Sequence, residues 1–149
     1  MPTFSNRRPG TVWALMVFLC IQALGAIGGG AGLVQDPVEN IGMPLSMLDG
    51  SPFSDFLVPG LILLIVVGLP PLVAVYGLAG RRRWGWWLAI VAGVGLLIWI
   101  ITEVALLGYL PGTGIGLQIG MGLLGVLILV MALVRPTRRY LTPGGRTGR

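Results

Sequence analysis

The sequence predicts an all-α integral membrane protein, a bundle of four transmembrane helices with both termini cytoplasmic (N-in/C-in) and a structured external loop between helices one and two. Three observations predict it. The chain is 55% hydrophobic and only 10% charged, with mean hydropathy +0.90, whereas soluble domains carry about 25% charged residues. Uncharged stretches fill residues 9–35, 56–80, 84–102 and 104–134, and each holds most or all of the roughly 20 residues that cross a hydrocarbon layer of about 30 Å. The charges, finally, alternate by connection. Arg7 and Arg8 precede the first stretch, Arg81, Arg82 and Arg83 divide the second from the third, and Arg135, Arg138, Arg139, Arg146 and Arg149 follow the fourth. Asp36, Glu39, Asp49 and Asp55 lie between the first and second, and Glu103 approaches the turn between the third and fourth. The positive-inside rule then orients the chain. Helices are required because isolated strands would leave backbone groups unpaired in lipid, and the runs lack the alternation of a barrel wall. The chain reads as a single transmembrane domain, 1–149.

The first helix is expected near 11–31. A basic start, an apolar core and the small residues Ala23 and Gly25 also fit a cleaved signal peptide, but the apolar run continues to Val34 and favours a retained span. Leu19 before Cys20 is too bulky for a lipoprotein signal, and Arg7–Arg8 lacks the flanks of a twin-arginine signal. Cys20 is the single cysteine and sits in an apolar run, where a thiol behaves as a small hydrophobe.

The external loop, 32–56, is too short for a folded domain, which needs about 50 residues. Met43 to Leu48 reads as a short amphipathic turn on the membrane surface. Ser51 and Pro52 have the chemistry of an N-cap and first helical position, and Asp55 would favour the positive end of that helix. The second helix follows at 57–79, where Pro59 is harmless near the start and Pro70 and Pro71 should kink it.

Arg81, Arg82 and Arg83 with Trp84, Trp86 and Trp87 form the expected membrane-interface anchor, with Tyr109 and Trp13 as candidates at other boundaries. The third helix, 84–108, carries Glu103 nineteen residues beyond Trp84, about 28 Å along the axis and hence near the edge of the hydrocarbon. "LPGTG" at 110–114 matches a sortase sorting pattern, and an apolar run and arginines follow it. Its place between two spans favours a plain Pro–Gly turn. The fourth helix, 113–134, continues from Gly112 through Gly116 and Gly120, a four-residue glycine spacing suited to helix packing within the chain or with another chain. A basic cytoplasmic tail, 135–149, ends the sequence.

Glu103 and Gln118 lie eight residues before and seven after Pro111, which sets them at similar depth on antiparallel neighbours. With Gln22, Thr102, Asp49 and Asp55 they form the candidate polar or ligand site beneath the external loop. A carboxylate at that depth is protonated, hydrogen-bonded or open to a water-filled cavity, because bare charge is costly in hydrocarbon. An interhelical Glu103–Gln118 hydrogen bond is the structural reading of the pair, and a proton, cation or small-ligand site is the functional one.

Catalytic classes find little support. The chain has no Lys and no His, which removes imidazole acid–base chemistry and His-containing metal sites. It has no Cys-x-x-Cys, no Gly-rich phosphate loop with its Lys, and no serine paired to a histidine base. No catalytic residue, metal or cofactor is expected. The net charge of +5 reads as topology plus attraction to anionic lipids at the cytoplasmic face, with no nucleic acid as partner.

The segments "GMPLSMLDGSPFSDFLVPG" and "WIITEVALLGY" resemble a pattern in small, uncharacterised four-span bacterial membrane proteins, over roughly residues 36–109. That resemblance implies a four-span inner-membrane protein and no particular activity. The span count is also similar to that of small multidrug exporters, which carry a functional glutamate in the first span where this chain has Gln22, and to that of the quinone-reducing vitamin K enzymes, whose cysteine pair is missing here. The expectation is a non-catalytic accessory or packing component of a membrane assembly or homo-oligomer in the bacterial inner membrane. The alternative is a small channel or transporter that uses Glu103 as its proton- or cation-binding group.

Overall fold

In the computed structural model, residues 8–38, 44–109 and 112–141 are described, except for the side chains of Thr113, Tyr140 and Leu141. Arg7, Glu39, Met43, the Leu110–Pro111 part of the turn, Arg146 and Arg149 lie outside the described residues. Four helices are long and apolar enough to cross a membrane: α1 (Gly10–Gln35), α2 (Leu57–Ala79), α3 (Arg83–Leu107) and α4 (Thr113–Leu133). A short helix, α5 (Arg135–Leu141), follows α4. The chain is an all-α bundle, as a membrane-spanning four-helix protein requires.

What the bundle buries and what it exposes fit lipid as the solvent. Leu15, Leu19, Ala26, Ala74, Ala89, Leu96, Ile128 and Ala132 form one core between the helices. Ile21, Leu24, Val66, Ile98, Ile101, Leu117 and Leu123 are large, apolar and exposed along all four helices. Such a surface would aggregate in water and is an ordinary one in hydrocarbon.

Two glycine contacts set the helix spacing. A Cβ on Gly30 would lie 2.8 Å from the Gly60 carbonyl oxygen and 2.7 Å from the Leu64 nitrogen, so α1 and α2 touch backbone to backbone. This contact explains why α1 runs to Gln35 and not to 31: the glycines after Ile27, which weaken a helix in water, are here what lets α2 approach. The loop between α1 and α2 accordingly starts at Asp36. At the other end of α2, Gly77 meets Gly85 of α3, where a Cβ on Gly77 would fall 2.6 Å from the Gly85 Cα.

The two prolines of α2 are met by a change of helix type. The helix widens into a π-helical turn at Leu63–Gly68 just before them. Pro71 has no N–H, so the Val67 carbonyl four residues earlier loses its helical donor. Gln22 of α1 supplies one, its Nε2 donating to Val67 O at 3.3 Å and to Ala92 O of α3 at 3.0 Å.

The loop is folded onto the bundle. A 3-10 turn at Leu45–Leu48 puts Leu48 beside Phe56 and Leu33 in a second small core, against which Phe53, Leu63 and Leu107 pack. The Phe56 N–H donates to Pro37 O at 3.1 Å and closes the loop across its base. Ser51 does not cap a helix: its Oγ accepts from the Phe53 N–H at 3.3 Å, a turn within the loop, and the helix begins later at Leu57. Asp55 takes the capping task, accepting the Leu57 N–H at 3.0 Å.

Gly85→Ala forces a methyl against the Gly77 backbone at 2.6 Å. It is expected to destabilise the protein by about 1–3 kcal/mol, read as a lower melting temperature in detergent. Gly95→Ala, at a position with nothing within 4 Å, should leave that temperature unchanged or raise it. Equal effects at the two positions would refute the backbone contact.

Candidate functional site

The six candidate polar residues do not form one cluster. Glu103 and Gln118 do meet: Gln118 Nε2 donates to Glu103 Oε1 at 3.0 Å and to the Gly108 carbonyl at 3.3 Å. The second carboxylate oxygen, Oε2, accepts the indole N–H of Trp99 at 2.9 Å. Gln118 is buried and Glu103 half-buried. A Glu four residues after a Trp lies directly above it on the helix, and an indole N–H away from water requires an acceptor. The sequence reading passes over Trp99, and this four-residue spacing to Glu103 is the signal that could have found it. The Gln118–Gly108 bond also ties the start of α4 to the end of α3, where Gly108 leaves the helix at φ 71°.

Gln22 belongs elsewhere. It is fully buried, 0% exposed, and its partner Ala92 stands eleven residues before Glu103 on α3, about 16 Å away along the axis. Its place is therefore the middle of the bundle, not the outer polar layer. Both of its neighbours are carbonyl oxygens, which only the amide nitrogen can face. Its Oε1 consequently points into the core with no hydrogen-bond partner among the described residues. Thr102 turns away from Glu103 and donates back to Ile98 O at 2.8 Å on its own helix. Asp49 is exposed beyond the 3-10 turn, and Asp55 is held at the start of α2.

The opposite end carries the arginines. Trp84 and Trp87 are partly exposed, at 39% and 58%, as interface side chains are. Trp86 is not an anchor of that kind. It turns inward, and its indole N–H donates to Ala132 O of α4 at 2.8 Å. Ala132 lies in the last turn of α4, which ends at Leu133 before the extended Val134, so its carbonyl has no helical donor, and Trp86 supplies one from the neighbouring helix. Arg138 of α5 lies 5.8 Å over the Trp86 ring, and the buried Thr137 hydroxyl bonds the Thr11 hydroxyl at 3.1 Å. What the sequence presents as a basic tail therefore begins as a helix docked on α1 and α3.

The glycine series separates from internal packing. At Gly112, Gly116 and Gly120 an added Cβ would meet nothing within 4 Å. Gly112, at φ 64°, serves the turn. Gly116 and Gly120 lie on a face of α4 that also exposes Ile119, Leu123 and Leu127.

Among the described residues, no group of three or more His, Cys, Asp or Glu side chains stands close enough to hold a metal ion. Comparison with protein-family models, curated proteins and solved structures finds no match to this chain.

Glu103→Leu removes the acceptor of the Trp99 N–H and one acceptor of Gln118 Nε2. A loss of about 1–3 kcal/mol is expected in detergent unfolding, against roughly 0.5–1.5 kcal/mol for Glu103→Gln, which keeps one accepting oxygen. The same loss in both variants would show that an accepting oxygen at position 103 contributes nothing to stability.

Proposed function

We propose that the chain is a non-catalytic packing or accessory component of a membrane assembly, seated in a bacterial inner membrane with both termini cytoplasmic. Its foremost partner is a second copy of itself, joined through the face of α4 that carries Gly116 and Gly120. The observation that supports this most directly is the openness of those two positions. Apolar side chains gain nothing from leaving lipid for another helix, so association between spans depends on close van der Waals approach, which small residues permit. Gly30, Gly60, Gly77 and Gly85 spend that property inside the chain. Gly116 and Gly120 do not. Orientation rests on the segregation of charge: every described arginine lies near the end of the bundle opposite Asp36, Asp49, Asp55 and Glu103.

The alternative, a conduit in which Glu103 binds a proton or cation, draws on a carboxylate placed near the hydrocarbon edge. Against it stands the engagement of both carboxylate oxygens by Trp99 and Gln118, which gives Glu103 a structural task.

In mild detergent, native mass spectrometry should show an oligomer of the wild-type chain. Gly116→Leu with Gly120→Leu should weaken association at least about tenfold, equivalent to about 1.4 kcal/mol, without lowering the melting temperature of the monomer. A wild-type chain that is monomeric in detergent and in bilayers would overturn the reading. In proteoliposomes, wild type and Glu103→Gln should show the same proton and cation leak. A pH-dependent flux lost only in the variant would transfer the reading to the conduit.

A further inference from the structure

The amide of Gln22 is only half satisfied. Its Nε2 carries two N–H groups, and both are spent, on Val67 O of α2 at 3.3 Å and on Ala92 O of α3 at 3.0 Å. The amide is thereby fixed in one sense, because turning it over would set Oε1 against two carbonyl oxygens. Oε1 is fully buried with the rest of the residue and has no hydrogen-bond partner among the described residues. An amide oxygen has two lone pairs to fill. Left bare in an apolar core, such an acceptor is as costly as a broken hydrogen bond.

A second acceptor stands beside it. Within the π-helical turn Leu63–Gly68 the backbone donor to a carbonyl comes from five residues on, and in the α-helix that flanks it from four residues on. For Val66 those residues are Pro71 and Pro70, neither of which has an N–H. The Val66 carbonyl thus lacks both the π-helical and the α-helical donor. It precedes by one residue the Val67 carbonyl that Gln22 touches. The side chains along this level of α1 and α3 are short: Ala23 and Ala26 follow Gln22 on its own helix, and Ala89 stands one turn before Ala92. All four alanines are buried, and each ends at Cβ where a leucine would reach further.

We infer that one internal water molecule binds at the middle of the bundle, donating to Gln22 Oε1 and to the Val66 carbonyl. Two acceptors without donors call for a group that is electropositive on both sides. Water supplies two O–H donors and no net charge, and internal waters are held where they join buried polar groups that lack other partners. A monovalent cation would also draw oxygens, but the amide would have to turn over and forfeit its bonds to Val67 and Ala92. The ion would in addition bring bare charge to mid-depth, and the described acids Asp36, Asp49, Asp55 and Glu103 all lie toward one end of the bundle. Water is therefore the ligand. It replaces, for the proline-interrupted stretch of α2, a donor that the backbone cannot give, and it does so whether or not the chain self-associates.

The test uses the full chain in detergent micelles, isotope-labelled at the side-chain nitrogens of Gln22, Gln35 and Gln118, its three glutamines. Gln22→Met identifies the Gln22 signal by its loss. In wild type the Gln22 amide protons should show a dipolar cross-peak to water, opposite in sign to the diagonal in the rotating frame, where chemical exchange gives the same sign. A crystal structure of wild type grown in a lipid mesophase should show one ordered water about 2.5–3.0 Å from Oε1. Neither wild-type measurement depends on a variant folding. Pro70→Ala returns an N–H to the Val66 carbonyl and should weaken the cross-peak. A Gln22 amide without dipolar contact to water, or an Oε1 that accepts from a protein N–H in the crystal, would overturn the site, as would an undiminished cross-peak in Pro70→Ala. Wild type should melt at the same temperature in sodium chloride and in choline chloride, and a rise specific to sodium would overturn water in favour of a cation.

Discussion

Inside a bilayer a backbone carbonyl without a donor has no water to fall back on, and the architecture of this chain follows from meeting that requirement at three places where its helices cannot. Pro71 strips a donor from Val67, the end of α4 at Leu133 leaves Ala132 without one, and the end of α2 leaves Ala79 unmatched. Each carbonyl is answered by a side-chain N–H from a different helix: Gln22, Trp86 and Arg8 respectively. A local deficit is thereby turned into a long-range tie. The three ties link α1 to α2 at mid-depth and at the arginine-rich end, and α3 to α4 near that same end. Non-directional apolar packing does not choose a register in lipid, and these bonds do.

The two ends of the bundle differ in how they are finished. At the acidic end, Leu48 and Phe56 bring the loop down as a roof over Leu33 and Leu107, next to the Trp99, Glu103 and Gln118 group. At the basic end the described residues make a polar finish of arginine, tryptophan and two threonines, with α5 docked against Thr11 and Trp86.

The four helices were legible in composition and charge because lipid imposes a length and an apolar content that few other environments require. Glu103 with Gln118 was legible for a related reason, since polar residues in adjacent spans at equal distance from a turn arrive at equal depth. Gln22 was placed in the outer half although it stands at the midpoint of α1, where Val67 and Ala92 meet it. The first helix was expected to end near 31, and it runs on to Gln35 because Gly30 against Gly60 makes its glycine-rich end a contact with α2. Trp86 was read with its neighbours as an anchor; only its pairing with the Ala132 carbonyl at the end of α4 marks it as a donor to the interior. Spacing along the chain cannot show such a pairing.

The contact between Gly77 and Gly85 across a turn as short as Gly80–Arg82 bears on how the protein is made. With so little chain between them, α2 and α3 form a paired hairpin with Arg81, Arg82 and Arg83 at its tip. Dragging these three arginines through the bilayer centre would cost roughly 2.5–3.5 kcal/mol apiece on insertion scales. That cost holds the hairpin in whichever orientation it first takes.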